Sequence, residues 1–353
     1  MTGFRARIGT LALDRPRSAW PLLFPGRAGS RWTQFRNRRE RILPNPAGAG
    51  FDCDWRWTSD LTLAKVFPAL GSRLLEAALI EWPVDMRPAT VTSCSEAPDV
   101  SFVVGHQGTE RMPLLLAALA SLRAQEGCRT EVVVVEQSDD PILEGQLPAD
   151  VRWIHQHVPN AGMPYSRSWA FNAGVREARG AFVVLHDNDV LAPARYAAEV
   201  VRLGRIGFEA MRLQRFVFYL DRESTMRVAS GGEEGRFHAG GLRLELVRQN
   251  CEGHTIAVER EAYLRIGGHD EAFLGWGGED NEFYDRCRLL RFHPWGYLPF
   301  VHLWHAPQPG KEKPGSTLAY LDEAMAVPRD ERAQRLAGLP FGSPGGPQLD
   351  RSS

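Results

Sequence analysis

Residues 181–189, Ala181-Phe182-Val183-Val184-Leu185-His186-Asp187-Asn188-Asp189, pass from five apolar positions directly into a cluster of acid and amide side chains. An apolar run this short, bounded by polar turn formers, has the length of a strand buried on both faces rather than of a helix. Two carboxylates one residue apart at its end repel each other unless a cation or a set of donors offsets the repulsion. Asp and Asn are also ordinary turn formers, so the D-x-D string alone leaves open a turn or an oxygen-rich site for a hard divalent ion.

The same rhythm recurs on either side. Residues 100–105 read as an apolar strand ending at glycine, 113–124 as a helix with Leu114, Leu115, Leu119 and Leu122 on its buried side, and 131–135 as a second buried strand. A third strand is expected at 151–155 and a helix at 165–179, just ahead of the acidic strand. Strand and helix in alternation imply an α/β class with a mostly parallel central sheet flanked by helices. Sheets of that kind bind ligands beyond the carboxyl ends of their strands.

The flanks differ. Residues 1–95 carry scattered prolines, the tryptophans Trp20, Trp32, Trp55 and Trp57, a basic run at 36–41 and one helical pattern at 61–80, and are expected to form an accessory region. A Ser/Glu/Pro-rich linker at 93–99 leads into the main domain, 96–310, and residues 311–353 read as a tail with one helix near 318–325.

Composition excludes several classes. Of the 353 residues 42 are basic and 43 acidic, and only Lys65, Lys311 and Lys313 among the basic ones are lysine, so no global field attracts nucleic acid or a membrane. Five scattered cysteines form no close pair of the kind a structural zinc site needs, which fits a reducing compartment. No apolar run reaches the ~18 residues of a membrane span. A cytoplasmic protein is expected, with at most peripheral membrane contact. Dehydrogenase and P-loop motifs and the serine elbow do not occur.

Three further segments carry chemistry. Gly275-Trp276-Gly277-Gly278-Glu279-Asp280 places glycines around a flat apolar platform and two acids at the start of a helix. Helix capping accounts for one of those acids, not both; a general base and a sugar-hydroxyl acceptor would use the pair. His302 and His305 close another apolar strand. Residues three apart in an unbroken strand point to opposite faces, so both meet one ion only if the strand turns, and His305, nearer the loop, is favoured. Arg167 and Asn172 lie on the helix before the acidic strand and offer either phosphate or ribose contacts or solvated helix positions.

The ordered set resembles the nucleotide-sugar glycosyltransferases of the GT-A fold, in particular the β1,4-galactosyltransferase and chondroitin-polymerase type and, more loosely, the family 2 transferases. The likeness covers residues 100–313, and GWGGED at 275–280 is its most specific part. Arg167, Asn172 and Gly174 resemble the family's R-x-x-x-x-N-x-G helix, Val134 to Gln137 its base-binding strand end, and residues 266–270 a further motif. The resemblance implies that Asp189 and His305 bind manganese or magnesium, with His302 a third ligand. It implies that Glu136, Arg167, Asn172, Asp187, Asp189 and Glu279 bind a UDP-sugar donor. Trp276, Gly277 and Gly278 would meet a saccharide or glycoconjugate acceptor, and Asp280 would take its proton in an inverting transfer. At Gly105-His106-Gln107-Gly108 the chain departs from the family's Pro-and-Arg strand end. A saccharide- or nucleotide-sugar-binding protein on the same fold, without turnover, is the alternative; a sugar nucleotidyltransferase would need a basic glycine-rich loop near the first strand, which GHQG lacks.

Overall fold

Seven consecutive buried residues, Val100–His106, form the centre of the molecule, flanked by parallel neighbours as expected of an apolar run covered on both faces. The computed structural model describes residues 29–37, 40–54, 58–87, 97–159, 162–230, 235–307 and 316–347. In chain order its strands are β1 (Ile42–Pro44), β2 (Phe51–Cys53), β3 (Ser59–Asp60), β4 (Val100–His106), β5 (Thr130–Ser138), β6 (Val151–His157), β7 (Phe182–His186), β8 (Val190–Leu191), β9 (Ala210–Met211), β10 (Gln214–Leu220), β11 (Leu244–Gln249), β12 (Thr255–Glu259), β13 (Phe292–His293) and β14 (Leu298–His302). The α-helices are α1 (Thr62–Val66), α2 (Pro68–Glu81), α3 (Met112–Arg123), α4 (Arg167–Glu177), α5 (Tyr196–Arg205), α6 (Arg222–Ala229), α7 (Arg260–Arg265), α8 (Glu279–Cys287), α9 (Ser316–Ala326) and α10 (Arg329–Ala337).

The main sheet runs β13-β9-β12-β7-β4-β5-β6, and its β7-β4-β5-β6 portion is parallel throughout. The expected α/β class is therefore observed. β12 departs from the simple alternation by pairing antiparallel with β7, placing Thr255 opposite His186. A second sheet, β3-β11-β10-β14-β8, stands beside the first.

The helical pattern at 61–80 is two helices. Pro68 opens α2, and a proline ring clashes with the preceding turn and disfavours helical backbone at the residue before it. Leu74, Leu75 and Ala78 of α2 share one apolar cluster with Phe216, Phe218 and Val247 of the second sheet, to which β3 adds an edge strand. The described part of the accessory region thus covers that sheet. The proline-rich start and most of the expected linker lie outside the described residues.

The stretch read as a tail also packs. Ala333 of α10 shares a cluster with Phe283 and Cys287 of α8, and Arg332 forms ion pairs with Glu282 and Asp285 of the same helix. Further on, the Ser343 carbonyl accepts a 2.7 Å hydrogen bond from the Trp169 indole. Among the described residues no helix is long and apolar enough to cross a membrane.

Candidate active site

β7 delivers Asp187, Asn188 and Asp189 into a loop whose exit, β8, pairs antiparallel with the end of β14 so that Val190 lies opposite His302. The Leu303 amide then donates to the Asp189 carbonyl at 2.8 Å, closing the turn. The strand stops at His302, and the chain beyond it swings His305 to the same side. Asp189 Oδ1 lies 3.7 Å from His302 Nε2, and Asp189 Oδ2 lies 3.2 Å from His305 Nε2. The ligand atoms of the three residues fall within 4.8 Å of one another, the condition the strand geometry had set for both histidines to share an ion.

His302 stacks on Tyr219, its register partner in β10, with ring centroids 4.3 Å apart. Burial holds its imidazole well below the usual histidine range, and His254 and His305 push the same way, so the ring stays neutral with a lone pair to offer. Its Nδ1 is buried without a protein partner. One carboxylate and two imidazoles form a donor set that suits a divalent transition ion such as manganese.

The second half of the site is built on Arg167, the first residue of α4. Ser166 caps that helix, and the Gln137 side chain grips both the amide and the carbonyl of Ser166, fixing where the arginine projects. Its guanidinium lies 4.5 Å above the Phe171 ring and binds Asp187 at 2.7 and 2.8 Å. It also pairs closely with Asp280 and stands 3.6 Å from Glu279. The two acids open α8 after Gly278, whose φ of +97° only glycine adopts easily and where a Cβ would meet the Phe273 ring at 2.8 Å. Burial and the neighbouring Asp280 charge push Glu279 up to about 7 against the pull of Arg167. Asp280 rests against the Gly253 backbone, where a Cβ would come within 2.5 Å of Oδ2.

Both halves line one cavity of about 880 Å³. Asp187, Asp189, Arg167, Glu279, Asp280, His302 and His305 all face it, with Gly277, Gly278 and the half-exposed Trp276 on its wall. Two expected donor-binding residues do not line it. Glu136 is fully buried, its carboxylate consumed by the Ile142 and Leu143 amides, the Ser138 hydroxyl and the Trp153 indole, so it anchors the loop after β5. Asn172 is likewise buried: it donates to the His269 carbonyl and Glu271, and accepts from the Tyr263 hydroxyl and the His269 amide. It knots the segment ahead of the tryptophan motif to α4.

The cavity wall also includes residues the sequence reading passed over. Arg111, immediately before α3, reaches Asp189 at 3.2 Å and His305 at 2.9 Å. Its signal was a lone basic residue within a turn of the GHQG strand end. Arg248 lies over the Tyr219 ring and is held by Asp60 at 2.9 Å, and His254 bonds the Tyr219 hydroxyl at 2.6 Å from the left-handed φ of +75°. No motif announced either.

Residues 242–296 match a galactosyltransferase family model. Its description reads N-terminal domain of galactosyltransferase, and the matched stretch holds both acids of α8 and the glycines before them. The resemblance carried by GWGGED is therefore borne out over that stretch. No curated protein matches the chain. Among solved structures, the chain is similar to the catalytic domain of Drosophila β1,4-galactosyltransferase 7 in complex with xylobiose, with 14% identity and a TM-score of 0.38, over 63% of this chain and 79% of that one. It is similar to GalNAc-T7 with UDP, GalNAc and Mn2+, with 14% identity and a TM-score of 0.45, over 68% of this chain and 50% of that one. A mannosyltransferase from Pyrobaculum calidifontis in complex with GDP-Man and Mn2+ gives 19% identity and a TM-score of 0.40, over 69% of this chain and 74% of that one.

Proposed function

We propose that the protein is a metal-dependent glycosyltransferase of the GT-A type that moves a sugar such as Gal or GalNAc from a UDP-sugar to a hydroxyl of a saccharide or glycoconjugate, inverting the anomeric centre in a single displacement. The observation that carries this reading is the convergence on one cavity of the Asp189, His302 and His305 cluster and the Glu279–Asp280 pair. The match of 242–296 to the galactosyltransferase family model supports it from the sequence side.

The leaving diphosphate gains negative charge as the glycosidic bond breaks. A divalent ion held by Asp189, His302 and His305 supplies the neutralisation of that charge when bound. The chain's own residues do the rest. Asp280 takes the acceptor hydroxyl proton while the oxygen bonds the anomeric carbon and the diphosphate departs with the electron pair. Arg167 holds Asp187 and Asp280 in register from one side. Glu279, with a pKa near neutrality, exchanges a hydrogen bond with a sugar hydroxyl, and Trp276 offers a flat face to a sugar ring. Glu279 as the base is a second reading, favoured by that same raised pKa.

A panel of UDP-sugars, scored by released UDP with and without Mn2+ and with a set of saccharide acceptors, tests the proposal. Release that needs both ion and acceptor supports it; sugar binding with no release in any combination indicates a lectin-like protein instead. The reading places the enzyme in the cytoplasm, in polysaccharide biosynthesis. The free thiols of Cys53, Cys128, Cys251 and Cys287 suit that compartment.

A further inference from the structure

Arg111 stands where a cation is wanted. Its Nη1 lies 3.2 Å from Asp189 Oδ2 and its Nη2 2.9 Å from His305 Nδ1, so one guanidinium bridges two of the three residues gathered for an ion. The residue sits at the junction of the GHQG loop and α3, a helix whose Leu115, Leu119 and Leu122 are fully buried in the core, so its backbone is firmly placed while its side chain reaches across the cavity.

Resting on the metal-site reading above, we propose that Arg111 is a built-in stand-in for the divalent ion: it holds Asp189 and His305 together in the free protein and must withdraw before the ion is fully ligated.

Two physical arguments lead there. A guanidinium is permanently charged, so it neutralises Asp189 without an ion and repels a divalent cation brought to the same oxygen. The second argument concerns His305 Nδ1, which stands between groups with opposite demands. Arg111 Nη2 can only donate and needs a lone pair there, whereas the Ala306 carbonyl, 2.7 Å away, can only accept and needs a proton. With Arg111 donating to Nδ1, the ring proton has its place on Nε2, which faces Asp189 Oδ2 at 3.2 Å. Ligation through Nε2 requires the proton on Nδ1, where it donates to Ala306 and leaves Arg111 facing an N–H. Ligation through Nδ1 displaces Arg111 directly. On either route the arginine and the ion exclude each other at His305. The free protein consequently keeps its two ligands assembled but takes up a bare ion weakly.

The test titrates Mn2+ alone into the full chain, following free Mn2+ by electron paramagnetic resonance, with no donor or acceptor present. Arg111→Met should bind Mn2+ about five- to tenfold more tightly than the wild type, since a charge-assisted competitor has been removed. Arg111→Lys, which retains a charge but cannot bridge both groups, should fall between them and carries the test where Arg111→Met proves unstable. Equal or weaker Mn2+ binding by both variants overturns the proposal. Asp189→Asn separates the two readings. If it abolishes Mn2+ binding while the arginine variants leave the affinity unchanged, the metal site stands and only the stand-in role falls; if it binds Mn2+ like the wild type, the metal site and the stand-in role fall together.

Discussion

Arg167 and Asp280, 113 positions apart, form a close ion pair on the cavity wall, so the residue proposed as base is held in the free protein by a cation that also binds Asp187. The first turn of α4 and the first turn of α8 are thereby fixed relative to each other at the place where donor and acceptor would meet. Three acidic side chains, Asp187, Glu279 and Asp280, thus gather around the one guanidinium of Arg167.

Asp280→Asn keeps the shape of the side chain and removes its basicity. It should lower kcat on the order of 10² to 10⁴-fold, the usual contribution of a positioned base. Binding of UDP with Mn2+, followed by calorimetry, should change only a few-fold, because the proposed ion ligands are Asp189, His302 and His305 and not Asp280. A variant with full turnover refutes the assignment to Asp280.

Glu279 makes stability depend on pH. Its folded-state pKa lies near 7, against an unfolded value of 4.5, so between those limits the folded protein binds the extra proton. Stability should therefore fall as pH rises from about 4.5 to 7 and level off above, with a penalty of at most about 3 kcal/mol. Glu279→Gln should remove this slope, so that its melting temperature exceeds the wild-type value at pH 8 and converges with it near pH 4.5. If Glu279 is the base, the variant should also lose a rise in kcat/KM through pH 7; loss of that limb with Asp280→Asn still active would reassign the role.

Much of this was legible in the sequence, and the failures share a cause. Strands β4, β5 and β7 are each built around a short apolar run, and burial on both faces leaves such runs few alternatives, so the parallel core and the acids at its edge could be read directly. Glu136 and Asn172 lie off the cavity lining, which a motif could not announce, because it records residue type and spacing but not which partners saturate a side chain. Their polar atoms are spent on backbone amides, an indole and a tyrosine, and those partners become neighbours only on folding. Arg111 was missed for the opposite reason: one basic residue beside a glycine turn carries no pattern, and its importance comes entirely from the two residues, 78 and 194 positions away, that it reaches. His302 and His305 depended on where β14 stops, which strand pairing decides and periodicity does not.

The cation cluster predicts a ligand-linked stability change. Mn2+ at a hundred times its dissociation constant should stabilise the fold by about 2.7 kcal/mol if it binds only the native state. A thermal melt of the wild type should therefore shift upward on adding Mn2+, whereas His302→Ala and Asp189→Asn should show a much smaller shift. An equal shift in all three would place the ion elsewhere.

The C-terminal helix α10 should be required for the acids of α8 to hold their place. Arg332 is almost completely buried, with Nη1 2.5 Å from Glu282 and Nη2 2.6 Å from Asp285, which lie within the two helical turns that follow Glu279 and Asp280. Glu282 keeps a second partner in Arg286 at 2.6 Å, and Asp285 keeps Arg329 at 3.0 Å, so loss of Arg332 strips each acid of one partner rather than all. The cost of Arg332→Met should accordingly be about 2 to 3 kcal/mol, below that of a fully orphaned buried charge, and should appear as a lower melting temperature. Because the loosened helix is the one that begins with the proposed base, kcat should fall as well, while Mn2+ affinity, which the proposal assigns to residues just after β7 and at and beyond the end of β14, should stay near the wild-type value. A chain shortened to residues 1–315 should lose the same contacts together with those of Ser343 and unfold at lower temperature still. Unchanged melting in both would mean that this segment adds nothing to the stability of the fold.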